Sequence, residues 1–151
     1  MTTEVVALAS DYWSTLGRGV SAIVLYAILG LALMVLGFFA IDWTTPGKLR
    51  ALVRAGKPNA AVVTASGMVS MALIVVLAIY ASSGRLVEGL IYSAVYGLIG
   101  IAAQVISVRL IELVTAIDIG DVLTRDKFTP DVLVVAAAHL ALGLVVAVAI
   151  L

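Results

Sequence analysis

Four long runs of apolar residues follow one another along the chain, and short segments between them hold most of the charge. Each run is about 20 residues long, so a helix of that length would cross a bilayer core of about 30 Å. Apolar and polar residues do not alternate within the runs, which argues against the strands of a membrane barrel. The pattern therefore predicts four transmembrane helices. The predicted spans are Val20–Ile41, Ala60–Ala81, Gly89–Val108 and Val132–Leu151.

Composition agrees with an all-α membrane protein. Of the 151 residues, 64% are hydrophobic and only 12% are charged. A soluble domain usually carries about twice that share of charge, and one of this size could not bury so much apolar surface in a single core. Lipid is therefore expected to cover the apolar faces. The net charge of zero gives no reason to expect nucleic acid as a partner.

The two halves of the chain match when the sequence is shifted by 70 positions. Tyr26 and Gly30 fall on Tyr96 and Gly100, and in each half an acidic residue follows that glycine by twelve positions. Each unit contains two spans, so the copies would share one orientation and be related by an axis along the membrane normal. The predicted units are an N-terminal segment at residues 1–19, a first helical hairpin at 20–81, an outer loop at 82–89 and a second helical hairpin at 90–151.

The N-terminal segment has a helical pattern of its own. Val5, Leu8, Tyr12 and Leu16 recur at spacings of three and four residues. This spacing predicts an amphipathic helix that lies on the outer membrane surface. The alternative is a frayed terminus. No basic segment precedes the first apolar run and no A-x-A site follows a short apolar core, so a cleavable signal peptide is not expected.

The segment between the first two spans predicts a short amphipathic helix on the membrane surface. Thr45 is a suitable cap and Pro46 a suitable first helical residue, whereas Gly56 and Pro58 would end the helix. The segment between the last two spans has a similar interleaving of apolar and charged residues. The sequence thus places one amphipathic element in each hairpin.

These two segments differ in charge. Residues 42–59 carry four basic residues and one acidic residue, whereas residues 112–131 carry two basic and five acidic residues. One interpretation is that they dock on each other, within one chain or between copies. The other is that both are simply solvated, because exposed ion pairs contribute only about 0–1 kcal/mol. The residues assigned to docking are Lys48, Arg50 and Arg54 in the first segment and Asp118 and Asp121 in the second.

The distribution of basic residues predicts the orientation. Seven of the nine basic residues lie in or beside these two segments, and only Arg18 and Arg85 lie on the opposite side. Basic residues favour the cytoplasmic side, so both segments are expected in the cytoplasm and both termini outside. At this inner interface Arg109 can pair with Glu112, three residues along the helix. Asp42 is a second candidate partner, and simple snorkelling of Arg109 is the alternative.

Two polar residues are predicted to meet inside the membrane. Gln104 lies eight residues from Glu112 and His139 lies eight residues from Asp131, so both are about 12 Å from the inner interface. They form either an interhelical hydrogen bond worth about 1 kcal/mol or part of a proton relay or pore. Small residues on the same helices predict close packing. The candidate packing residues are Gly30, Gly37, Gly67, Gly97, Gly100 and Gly143.

The sequence contains no arrangement typical of a catalytic site. It has no cysteine, no H-E-x-x-H motif, no glycine-rich phosphate loop and no metal-spaced cluster. We therefore expect no enzymatic activity, no cofactor and no metal. No span carries a charge near its centre, whereas coupled transporters often do. This favours a scaffold or assembly subunit, and a small ion channel or transporter lined by the polar faces of helices 3 and 4 is the alternative.

Several motifs resemble the domain of unknown function 350 family. They are D-W-T-T-P at residues 42–46, G-K-P-N-A-A-V at residues 56–62 and G-D-V at residues 120–122, followed by a helix with His139 and Gly143. The resemblance covers residues 20–151. It implies a small protein of the bacterial inner membrane built from two tandem hairpins, with no established activity or catalytic residue. Members are often grouped with envelope-stress proteins and spermidine-synthase-like proteins, which indicates a partner but fixes no role. We expect further copies of the chain or other membrane or envelope proteins as partners.

Overall fold

A computed structural model describes residues 2–45, 47–82 and 85–151, and within these ranges the side chains from residue 11 onward. Most residues in these ranges are helical, and none of them lies in a strand. The helices are α1 (Thr2–Thr44), α2 (Leu49–Arg54), α3 (Pro58–Ala81), α4 (Leu86–Thr115), α5 (Ile119–Thr124) and α6 (Asp131–Ala149). Among them α1, α3, α4 and α6 are long and apolar enough to cross a membrane. The predicted all-α fold with four transmembrane helices is confirmed.

Helix α1 continues through the N-terminal segment without a break at residues 19 and 20. It has 43 residues and is therefore about 64 Å long, more than the roughly 40–45 Å thickness of a whole bilayer. Gly17 and Gly19 lie within the helix, and a methyl group added to either would contact nothing. The segment is thus helical, and its location on the outer membrane surface stays a prediction.

We call residues 45–57 the first connector and residues 116–130 the second connector. The helix of the first connector begins later than the sequence pattern predicts. Pro46 lies outside the described residues. The Thr45 hydroxyl donates to the Ile41 carbonyl of α1 at 2.7 Å and so does not cap α2. Gly47 and Lys48 both have positive φ, 90° and 55°, and this reversal of the backbone delays the start of α2 to Leu49. The predicted start at residues 45–46 is therefore wrong.

The end of α2 agrees with the sequence pattern. The helix ends at Arg54, and Gly56 then has a φ of 74°, a conformation that glycine adopts without steric cost. Pro58 occupies the first turn of α3, where its missing N–H is not needed. In the second connector, the Asp118 carboxylate caps α5 by accepting from the Asp121 N–H at 3.0 Å. One short helix thus joins α1 to α3, and another joins α4 to α6.

The same order of long, short and long helix occurs twice, and the ends of α5 lie 70 positions after the ends of α2. The duplication itself stays a prediction. Helices α3 and α4 pack along each other, and each also contacts both α1 and α6. Helices α1 and α6 lie on opposite sides of this pair and do not pack along each other. An exact two-fold axis along the membrane normal would exchange α1 with α4 and α3 with α6, so the α1–α6 contact would have to match the α3–α4 contact. The two contacts differ, so this symmetry is not observed.

Candidate functional site

Polar side chains from three helices are buried together in the middle of the bundle. Ser66 and Ser70 come from α3, Gln104 from α4 and His139 from α6, and all four are buried. We call these four residues the polar seam. Helix α3 packs most extensively against α6, and the small side chains along this contact let the two backbones approach closely. The polar seam therefore lies where α3, α4 and α6 meet.

The structure brings Gln104 and His139 together, although not through both side chains. The Gln104 Nε2 donates to the backbone carbonyl of His139 at 3.5 Å, which is at the long limit for such a bond. The ring Nδ1 of His139 instead faces the Ser66 hydroxyl at 3.4 Å, and that hydroxyl also donates to the Val63 carbonyl at 3.0 Å. Sequence reasoning missed Ser66, whose signal was its place beside Gly67 on the face of α3 that carries small residues.

Each of the six predicted packing glycines faces a side chain of another helix. A methyl group added to Gly97 would come within 2.6 Å of the Leu33 side chain, and one added to Gly37 within 2.7 Å of Met71. Contact would be closer still at Gly100 and Gly143, and looser at the other two. The glycine–neighbour pairs are Gly30–Val75, Gly37–Met71, Gly67–Ile41, Gly97–Leu33, Gly100–Ile74 and Gly143–Ser70. Side chains of the same molecule thus occupy the spaces beside these glycines.

Part of the hydrogen-bonding capacity of the polar seam is unused within the described residues. The buried Ser70 Oγ, Gln104 Oε1 and His139 Nε2 have no protein partner. Such groups are uncommon in protein interiors, because an unpaired buried donor or acceptor loses its interaction with water. Close packing around the glycines also contributes to holding these helices together. No three metal-ligating side chains in the described part of the chain lie close enough to share an ion.

Asn59 joins the start of α3 to the second connector. Its side chain is fully buried, and Nδ2 donates to the Val122 carbonyl at 2.8 Å and to the Thr129 hydroxyl at 3.0 Å. Its Oδ1 accepts from the Thr129 N–H at 3.2 Å. Sequence reasoning did not assign this residue a role. The available signal was a polar amide at the start of an apolar span, directly after the proline that begins the helix.

The predicted pairs between Arg50 or Arg54 and Asp118 or Asp121 are not formed in the structure. Asp118 caps α5, and Asp121 binds Arg125 of its own connector at 2.6 Å. That guanidinium also reaches the carboxylate at the start of α6, at 2.8 Å. The hydrogen bond with Asp121 raises the pKa of Arg125 above its ordinary value. The carboxylates of α5 are therefore engaged within the second connector.

The two connectors do contact each other, through other residues. Lys57 of the first connector binds the Asp126 carboxylate of the second, and the hydrogen bond from Lys57 lowers the pKa of Asp126. Leu49 of α2 and Ile119 of α5 are buried in one hydrophobic cluster. The contact thus combines one ion pair with apolar packing.

Arg109 links two helices at this end of the bundle. Its Nη1 binds the Glu112 carboxylate at 2.8 Å, the pair predicted from their spacing. Its Nη2 donates to the Thr44 carbonyl at the end of α1, where helix carbonyls lack partners within the helix and favour a cation. Asp42 does not contact Arg109, and its Oδ1 accepts from the Arg50 backbone N–H at 2.7 Å.

Comparison with known proteins gives a family. The family model for Domain of Unknown Function (DUF350) matches residues 14–150. A UPF0719 transmembrane protein of Mycolicibacterium paratuberculosis is 34% identical over 134 residues, which cover 88% of this chain and 89% of that protein. UPF0719 transmembrane proteins of Mycobacterium bovis and Mycobacterium tuberculosis are 48% identical over 81 residues, which cover 53% of this chain and 53% of each relative.

No solved structure matches the chain. The family match begins within the N-terminal segment and continues nearly to the last residue, so it includes most of α1 and the other three apolar helices. The relatives with curated names are transmembrane proteins of mycobacteria. The protein therefore belongs to the Domain of Unknown Function (DUF350) family and is an integral membrane protein.

Proposed function

We propose that the protein is a non-enzymatic scaffold or assembly subunit of a bacterial envelope complex. The observation that carries this proposal is the exposure of α1. Only 11% of its most apolar stretch is buried within the protein, against 44% for α3, 39% for α4 and 33% for α6. Helix α1 therefore offers a long apolar surface along which other membrane proteins, or further copies of this chain, can pack.

The buried face of α1 is a single narrow stripe. Gly30, Leu33, Gly37 and Ile41 face the bundle, and most other side chains of the span are exposed to lipid. Association between helices in lipid depends on close packing over a large shared surface. A helix held to its own molecule along one stripe keeps most of its circumference available, which supports a role in assembly.

The filled interior supports a scaffold over the alternative of a channel or transporter. Gln104 and His139 are 0% and 1% exposed, and neighbouring side chains occupy the spaces beside the glycines of α4 and α6. A conducting path along these faces would require the side chains around Gly97, Gly100 and Gly143 to move apart. The polar seam is thus better suited to fixing helix register than to passing ions.

Cross-linking in native membranes tests the assembly role. Cysteines at Ile28 and Leu31, which are exposed on α1, should form adducts with another copy or another membrane protein. A cysteine at the buried Leu33 is the matched control and should form none. The chain has no cysteine of its own, so every adduct reports the introduced site. A protein that gives no adduct at any exposed position of α1 would not be an assembly subunit of this kind.

Ion flux separates the two candidate functions. Liposomes that contain the purified protein should remain as tight to protons and alkali cations as empty liposomes. The variant His139→Leu should leave them unchanged. Conduction by the native protein that disappears in this variant would overturn the scaffold proposal and support the channel.

For the location we propose the bacterial inner membrane, with both connectors in the cytoplasm and both termini outside. Seven of the nine basic residues lie at the connector side, which supports this orientation. Cysteines at Lys48 and Lys127 should be protected from an impermeant thiol reagent in intact cells, whereas one at Thr3 should react. Labelling of either connector would reverse the proposed orientation.

A further inference from the structure

A cavity of about 740 Å³ opens between the end of α1 and the short helix α2. We call it the basic cavity, because three of its described lining residues are cationic and one, Asp42, is acidic. Its lining residues are Phe39, Asp42, Trp43, Thr45, Gly47, Lys48, Arg50, Ala51 and Arg54. It lies at the connector end of the bundle, where the helices leave the membrane.

The cations of the basic cavity are not neutralised by the fold. Among the described side chains, Lys48, Arg50 and Arg54 form no ion pair. Asp42 accepts a hydrogen bond from the Arg50 backbone N–H, so one carboxylate oxygen is already engaged. Arg50 and Arg54 are four residues apart and therefore lie on one side of α2. Leu49 is 1% exposed and anchors the helix in the core.

The cavity joins a lipid-facing surface. Trp43 is 92% exposed and Phe39 is 48% exposed, and tryptophan side chains favour the headgroup level of a bilayer. Leu36, which precedes Phe39 in α1 and lies nearer the bilayer centre, is also exposed. A ligand with an anionic head in the cavity could therefore extend an apolar tail along α1 without leaving the protein surface. A free phosphate would contact only the cationic part of the cavity and not the apolar surface along α1.

We propose that the basic cavity binds the headgroup of an anionic phospholipid, with the phosphate near Lys48, Arg50 and Arg54 and the acyl chains along α1. Guanidinium groups can donate two parallel N–H bonds to a phosphate. Basic pockets at the membrane surface are a known means of recognising anionic lipids. This proposal does not depend on the assembly role or on which leaflet contains the connectors.

Lipid binding to the delipidated protein in a neutral detergent tests the proposal. Native mass spectrometry with phosphatidylglycerol should give binding about tenfold weaker, equivalent to about 1.4 kcal/mol, for the double variant Arg50→Gln/Arg54→Gln. The matched control Arg85→Gln/Lys127→Gln removes the same charge elsewhere and should bind like the native protein. Phosphatidylcholine should bind weakly to all three. Equal losses in both double variants would mean that only general surface charge attracts the lipid, and the proposal would fail.

Two further measurements keep the test decisive. The variant Arg50→Lys/Arg54→Lys preserves the charge and should retain most of the binding, whereas a loss as large as that of the glutamine variant at an unchanged melting temperature would contradict a charged headgroup site. Inorganic phosphate should displace phosphatidylglycerol only weakly. Displacement by phosphate at concentrations similar to those of the lipid would identify a free-phosphate site and overturn the lipid proposal.

The position of the acyl chains can be measured by fluorescence. The chain has two tryptophans, so in a Trp13→Phe variant the emission comes from Trp43 alone. Phosphatidylglycerol with brominated acyl chains should quench this emission more strongly than brominated phosphatidylcholine at the same mole fraction. Arg50→Gln/Arg54→Gln should remove that difference. Equal quenching by the two lipids in the native cavity would contradict selective binding.

Discussion

The first connector, residues 45–57, and the second, residues 116–130, each contain one short helix. Their charged side chains differ in whether they are paired within the protein. In the second, the Asp118 carboxylate caps α5 and the Asp121 carboxylate pairs with Arg125. In the first, Lys48, Arg50 and Arg54 line the basic cavity and form no ion pair with any described side chain. The opposite charges of the connectors are therefore not used to bind each other, except at Lys57 and Asp126. The aspartates of the second connector are thus engaged by the fold, whereas three cations of the first line a cavity.

A neutral side chain at the start of α3, directly after the first connector, makes an extensive polar link to the second connector. The side chain of Asn59 is buried and forms four hydrogen bonds, at 2.8–3.2 Å, with Val122, Lys127 and Thr129 of the second connector. A buried amide needs no counter-charge and loses less hydration than an ion. Buried ion pairs often contribute little, because desolvation offsets their attraction. The second connector is thus held against the start of α3 without pairing the opposite charges of the two connectors.

The largest expected effect comes from removing this link. Asn59→Ala should lower the free energy of unfolding by about 2–4 kcal/mol, because it leaves several buried backbone and side-chain groups unpaired. Thr64→Val is the control, since that hydroxyl donates only to the Ala60 carbonyl of its own helix. Unfolding in a denaturing detergent measures both variants. Equal stability of the two would mean that Asn59 does not hold the second connector against α3.

A smaller effect is expected from Arg125, which holds the second connector through Asp121 and Asp131. Arg125→Met should lower the melting temperature by a few degrees, less than Asn59→Ala does, because the ion pairs are exposed and partly screened. Lys127→Met changes the same connector without breaking these pairs and should have little effect. Similar shifts in both variants would show that local charge neutralisation does not stabilise this connector.

The ion pair between the connectors should show weak coupling in a double-mutant cycle. Lys57→Met and Asp126→Asn each remove one partner, and their combined effect on the melting temperature should be smaller than the sum of the separate effects. Arg54→Gln with Asp121→Asn is the comparison cycle and should be additive, because these side chains are not paired. Coupling in the second cycle would restore the docking pairs predicted from the sequence.

The smallest effect is a dependence on acidity. Lys57 holds the pKa of Asp126 below its ordinary value of 3.8. The stability from this pair is therefore fully present above pH 3.8 and is lost as the pH falls through the lower pKa of the folded protein. The melting temperature of the native protein should decline in that acidic range, and Asp126→Asn should reduce the decline. An identical profile for the two proteins would mean that the pair adds no stability.

The sequence by itself determined the features that depend on chain length and local spacing. Four apolar runs are long enough to cross a bilayer, and lipid offers the backbone no alternative to helical hydrogen bonds. Arg109 and Glu112 pair because residues three apart on a helix are neighbours. Gly56 and Pro58 end one helix and start the next through their own backbone preferences. In each case the cause lies within one turn of helix or in the thickness of the membrane.

Only the tertiary structure decided which side chains meet across helices. His139 faces Ser66 through its ring and Gln104 through its backbone, Asn59 reaches the second connector, and Lys57 binds Asp126. These contacts depend on how each helix is rotated about its axis and shifted along its neighbours. Helices that are apolar on all sides give little indication of that rotation, because lipid and protein surfaces are similarly apolar. The glycines of each helix indicate which face is packed, but which neighbouring side chain contacts each glycine is decided only when the helices pack together.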